Sequence, residues 1–182
     1  KDNSKSSSST SAMNDFSDLG IFKSNTNINN ELLTLKSPTL MTEVVNRLGL
    51  NETFTIRKGL KNVDLYKVSP VTITFCDKIE VPLSFTIKFS SKEAFAISEL
   101  EISGEDIGET LSAQMGDSIQ TSAGIMIVSP TQEFTDAFIG TSIRYVRGSM
   151  RAAVDTYSNA LVAELGNEDA TIINLSINDT SI

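Results

Sequence analysis

The run from Asn29 to Leu50, NNELLTLKSPTLMTEVVNRLGL, admits few folds. It reads as two short helices with a sharp joint. Asn29 or Asn30 is placed to cap the first, with Glu31 near its positive end. Leu32, Leu33 and Leu35 supply its apolar side. Ser37-Pro38 restarts the helix: a serine oxygen accepts from free N–H groups, and proline fits the first helical position. Leu40, Met41, Val44, Val45 and Leu48 then form one helical stripe. Gly49 sits where a left-handed C-terminal cap belongs. A helix pair of this kind is expected to dock on a sheet.

After Leu50 the apolar period changes from helical to alternating. Phe54 and Ile56 alternate with Thr53 and Thr55, which predicts a strand over 52–57. Lys58-Gly59 ends it, and Leu65-Tyr66 and Ser69-Pro70 bracket a loop. Val71, Ile73 and Phe75 predict a second strand, Asp77-Lys78 a turn, and Leu83, Phe85, Ile87 and Phe89 a third strand within 81–90. The second and third are expected to pair as a hairpin. Ser91 to Glu93 turns the chain into a strand through Phe95, Ile97, Leu100 and Ile102. Residues 104–116 read as an acidic exposed loop. The run DSIQTSAGIMIV, 117–128, predicts strand, turn and strand. Another strand covers Ile143 to Val146, a helix 149–158, and a hairpin joins 161–165 to the apolar run ATIINLSIN.

The sum is an α+β chain: a mostly antiparallel sheet with short helices packed on one face. Lys1 to Met13 is serine-rich and low in complexity, and is expected to be a flexible segment. Phe16, Leu19, Ile21 and Phe22 form a short apolar patch ahead of the helices. Residues 14–182 carry no linker and are expected to form one domain. The chain begins without methionine and is expected to be an excised segment; any membrane-spanning part would lie outside it.

Composition narrows the chemistry. A net charge of −8 argues against a nucleic-acid partner, which needs a basic patch. The chain has no histidine, so it lacks the commonest general base and metal ligand, and no Ser-His-Asp or Cys-His site can form within it. No catalytic, metal or cofactor site is expected. The single cysteine, Cys76, ends the run VTITFC and is expected to be a buried thiol. Glu105, Asp106, Glu109 and Asp117 lie close in sequence, but their spacing does not match a calcium loop. Arg144, Arg147 and Arg151 are the densest cations, with Arg147 and Arg151 spaced to share a helix face. They read as an anion site or as a solvated face with ordinary ion pairs.

The order of motifs DLGIF, NNELLTLKSPTLMTEVVNRLGL, DLYKVSPVTITF and ATIINLSIND resembles the extracytoplasmic domain of chain-length determinant proteins, the polysaccharide co-polymerases. The branch resembled is the one often fused to a cytoplasmic tyrosine autokinase. Asn30-Glu31 with Leu35, Lys36 and Ser37 is similar to the family's "NE…L.S" signature. Leu65-Tyr66 and Pro70 are similar to its "LY…P" entry to a strand. Gly116 and Gly124 resemble a glycine-punctuated hairpin.

The resemblance implies a scaffold without catalytic residues, held at the periplasmic face of the inner membrane by flanking spans. It implies homo-oligomeric rings beside a polysaccharide polymerase and an outer-membrane export protein, near the nascent polysaccharide. Ring contacts join two different faces of the chain. Asn30, Glu31, Lys36, Ser37, Arg144 and Arg147 are the polar positions expected at such an interface. Glu31 and Lys36 equally suit the charges of a helix start and a helix end. Two other classes remain open. A surface carbohydrate-binding module or adhesin is compatible with antiparallel strands, although the chain has no tryptophan and only three tyrosines for stacking on sugars. A carboxylate glycosidase is compatible with the many acids, none of which stands out as a pair.

Overall fold

A computed structural model describes residues 28–77, 79–166 and 172–178. The serine-rich segment, the apolar patch at 16–22 and the turn residues 167–169 lie outside them. The fold is α+β, with three helices and twelve strands in antiparallel sheets. The chain clusters into two compact units. One comprises the described residues up to Val44 and from Val154 onward; the other is the continuous stretch Val45–Ala153.

In the first unit, helix α1 is already formed at Ile28 and runs to residue 35. Neither Asn29 nor Asn30 therefore caps it, contrary to the sequence expectation. Helix α2, Pro38–Leu48, begins as predicted. The Ser37 hydroxyl accepts from the Leu40 N–H at 3.2 Å, and its carbonyl accepts from Met41 at 3.1 Å. Gly49 ends the helix with φ of +62°, the left-handed conformation that glycine adopts at least cost. Of the predicted stripe, Met41 and Val45 are buried, while Leu48 is 66% exposed. Helix α3, Met150–Ala160, feeds strand β11, Leu161–Leu165, which pairs with β12, Ile173–Ile177. The register sets Leu161 against Ile177, Ala163 against Leu175 and Leu165 against Ile173, so one face of this two-stranded sheet is apolar.

The second unit packs two sheets around one core. The larger has seven strands. Its path runs β2 (Lys61–Asp64), β1 (Glu52–Lys58), β10 (Ser142–Arg147), β4 (Leu83–Phe89), β5 (Ala94–Ile102) and β6 (Glu105–Asp106), and β7 (Leu111–Gln114) also pairs with β5. The smaller runs β3 (Val71–Phe75), β9 (Gly124–Pro130) and β8 (Ser118–Thr121). Alternate residues of both enter a common cluster: Phe85, Ile87, Phe89, Phe95, Ile97, Ile143 and Tyr145 from one, Val71, Ile73, Met126 and Val128 from the other. Each such large side chain contributes roughly 1.5–3 kcal/mol on burial. Aromatic rings cross the centre, with Tyr145 at 5.0 Å from both Phe54 and Phe85.

Three expectations need correction. Strand β3 does not pair with β4; it pairs with β9, and β4 lies between β10 and β5. Alternation identifies a strand's buried face but not its neighbour, which is a non-local choice. Cys76 is exposed. Two-residue periodicity puts it on the side of Thr72 and Thr74, both exposed, so the same pattern that predicted the strand places the thiol outward. Strands β6 and β7 occupy the segment read as an acidic loop, and β2 one given no element from sequence; all three are short and largely polar.

Gly124 is required where it stands. Its φ is +114°, and a Cβ would meet Asp77 Oδ2 at 3.0 Å, the same oxygen that accepts from the Ile125 N–H at 3.1 Å.

Candidate functional site

The six residues singled out from the sequence fall into separate settings. Asn30, Glu31, Lys36 and Ser37 belong to the first unit, Arg144 and Arg147 to the second. Asn30 is exposed on α1, where its carbonyl accepts from Thr34 Oγ1 at 2.8 Å. Glu31 and Lys36 are exposed, and the Lys36 N–H closes the last turn of α1 onto Leu32 O at 3.2 Å. Ser37 is committed to capping α2.

Arg144 and Arg147 lie three apart on one strand, so they point to opposite faces of the sheet. Arg151 belongs to α3, so Arg147 and Arg151 do not share a helix face. On the outer face, Arg144 donates to Glu99 Oε2 at 3.2 Å from Nη1, and Nη2 lies 2.9 Å from Glu101 Oε2. Nη2 also donates to Ser84 Oγ at 2.8 Å, while Ser84 donates to Glu101 at 2.9 Å and Thr86 to Glu99 at 2.7 Å. The β4–β5 register shifts between Ser84 and Thr86, and Glu99 takes a φ of +54° at that bulge. A left-handed non-glycine residue costs about 1–2 kcal/mol. The bulge therefore holds two carboxylates against one guanidinium at a backbone cost. The Ser84 hydrogen bond, followed by Arg144, holds Glu101 below the ordinary carboxylate range. With two carboxylates on its one guanidinium, this cluster is an ion-paired face rather than an anion site.

On the inner face, Arg147 and Glu52 are directly opposed across β1 and β10. Arg147 Nη1 donates to Glu52 Oε1 at 2.9 Å, with the two side chains only 16% and 22% exposed. The guanidinium carbon lies 5.3 Å from the centre of the Phe75 ring. Burial raises the Glu52 carboxyl above its ordinary value, and Arg147 only partly offsets this. Tyr145 is fully buried beside them. Its hydroxyl makes no hydrogen bond, although Glu52 and Arg147 are near enough to act on its ionisation; burial, then the Glu52 charge, push that ionisation far up. Just beyond, Asn51 and Gly148 clamp the two strands. The Gly148 N–H donates to Asn51 O at 2.7 Å, and Asn51 Nδ2 donates to Gly148 O at 3.2 Å. The pair thus fixes the point where the chain enters β1 from α2 and leaves β10 for α3. This is positioning chemistry. A buried, mutually satisfied Glu–Arg pair offers neither a free base nor a free nucleophile.

Sequence reading missed one further feature, the β1–β2 hairpin. Lys58 and Lys61 are directly opposed across the two-residue turn Gly59-Leu60, and Leu60 is 95% exposed. Like charges facing each other across strands are destabilising. The run Arg57-Lys58-Gly59-Leu60-Lys61 was the available signal: three cations and a leucine around a glycine turn.

Among the described residues, no three His, Cys, Asp or Glu side chains gather as a metal site, and no helix is long and apolar enough to cross a membrane. No protein-family model matches the chain, and no curated protein matches it either.

Proposed function

We propose that this chain is a non-catalytic extracytoplasmic scaffold domain of a polysaccharide co-polymerase, regulating the length of a capsular, surface or O-antigen polysaccharide during export. In this reading it faces the periplasm from the inner membrane, assembles as a homo-oligomeric ring, and works beside the polymerase and the outer-membrane export protein. One observation carries most weight alongside the order of sequence motifs. The chain leaves one compact unit through α2, builds the sandwich over Val45–Ala153, and returns to the first unit through α3. Both flanks of the described chain therefore belong to a single unit. That arrangement is compatible with a domain braced between two membrane anchors. The polar side chains at Arg144 and Arg147 are engaged by carboxylates of neighbouring strands, as suits a scaffold.

The test uses the full-length protein. Detergent-solubilised particles should be rings by electron microscopy. Replacing the joint, Ser37→Gly with Pro38→Gly, should broaden the length distribution of the exported polysaccharide on a gel. Strictly monomeric particles, or a polysaccharide profile unchanged despite a disrupted joint, would contradict the scaffold role.

A further inference from the structure

The β1–β2 hairpin carries a combination that folding alone does not explain. Its turn has glycine at the first central position, with φ of +64°, the usual residue there. The second central position ordinarily takes a small polar residue such as asparagine or serine; here it is Leu60, almost wholly in water. Lysines on an edge strand serve to block unwanted pairing, which accounts for Lys61. That role does not account for the leucine, nor for Lys58 set directly against Lys61. Neither lysine makes an ion pair among the described residues. The Arg57 guanidinium folds back over the turn, its Nε donating to Gly59 O at 3.3 Å. Three cations thus lie within three residues of one almost wholly exposed aliphatic side chain, in a chain whose net charge is −8.

We infer that this hairpin tip docks on an anionic lipid surface. Leu60 enters the headgroup region, and Arg57, Lys58 and Lys61 lie among the lipid phosphates. A bilayer suits this tip better than a protein partner does. A lone protruding leucine gains from an interface that is apolar at any orientation, whereas a protein partner must supply a fitted pocket. Anionic headgroups also relieve the repulsion between the two opposed lysines. The inference concerns the second unit alone. It does not depend on the scaffold reading, and its test needs no membrane anchor, so the two can fail separately.

The experiment is flotation of the 182-residue chain with vesicles. Vesicles containing about one-third phosphatidylglycerol should carry the chain upward, vesicles of phosphatidylcholine alone should not, and salt near 1 M should release it. Lys58→Glu with Lys61→Glu should lower partitioning by roughly 25-fold or more, at about fivefold per lysine lost. Leu60→Ser should lower it by roughly tenfold. Because these side chains are exposed, the variants should keep the parent's circular dichroism and melting temperature. Leu60→Trp should show a blue-shifted emission only with the anionic vesicles. Failure to float with phosphatidylglycerol, or flotation insensitive to Leu60→Ser, would overturn the proposal. So would vesicle-independent self-association lost in the double lysine variant, which would assign the tip to a protein contact.

Discussion

Strands β10 and β12 carry the same kind of pattern and meet opposite fates. In β10, Ile143 and Tyr145 are fully buried; in β12, Leu175 and Ile177 are 54% and 53% exposed. The difference lies in their neighbours. Strand β10 is hydrogen-bonded on both sides, to β1 and β4, and its apolar face meets the core shared with the smaller sheet. Strand β12 pairs only with β11 among the described residues. A two-stranded sheet by itself is marginal in water, and an uncharged edge strand with an apolar face is open to further pairing. Strand β10 is thus enclosed, while β12 still presents an apolar surface. The scaffold role proposed above would use β12, rather than β10, for contact between copies.

That contrast can be broken by mutation. Phe85→Ala, in the closed core, should destabilise the chain by about 3–5 kcal/mol, read by urea unfolding. Leu175→Ala should cost under about 1 kcal/mol in the same assay, because half its surface is already wet. Equal losses at the two positions would erase the distinction.

Next in size is the inner ion pair. Glu52→Ala leaves Arg147 without its partner and should cost roughly 2–3 kcal/mol, somewhat less than for a fully buried pair. Its pH dependence has a definite sign. Burial raises the folded-state value of Glu52, so the folded protein holds the proton more tightly than the unfolded chain. This group's contribution is greatest below its ordinary value of 4.5 and falls as pH rises through the raised value. Glu52→Gln should flatten that part of a melting-temperature profile against pH. Glu101 acts in the other direction: its lowered value gives stability present above 4.5 and lost on further acidification.

Smaller effects sharpen the picture of the first unit against the sandwich surface. Ser37→Ala removes the α2 cap and should cost about 1 kcal/mol, visible as lost helical circular dichroism as well as a lower melting temperature. Arg144→Ala should cost no more than about 1 kcal/mol, because its partners are largely exposed and screened.

Local chemistry made much of this legible from sequence. The cap at Ser37, the left-handed Gly49 and the strands at 52–57, 71–75 and 118–128 all follow from residues within a few positions of each other. Partner choice did not follow: Glu52 and Arg147 meet across 95 residues, and nothing near either names the other. The opposed faces of Arg144 and Arg147 were readable, since a spacing of three on a strand separates them; reading Arg147 with Arg151 as helical hid it. Leu48 shows the other limit. A helical stripe marks which side is apolar, but how far burial extends along it depends on what the helix meets.

Hydrogen exchange bears most directly on the closed and open units. In the isolated chain, amides of β4 and β10 should be strongly protected and those of Ile173–Ile177 should exchange early. If the proposed membrane-anchored ring forms, the latter should gain protection in it while β4 and β10 remain unchanged. Protection of β12 equal to that of β10 in the isolated chain would contradict the account.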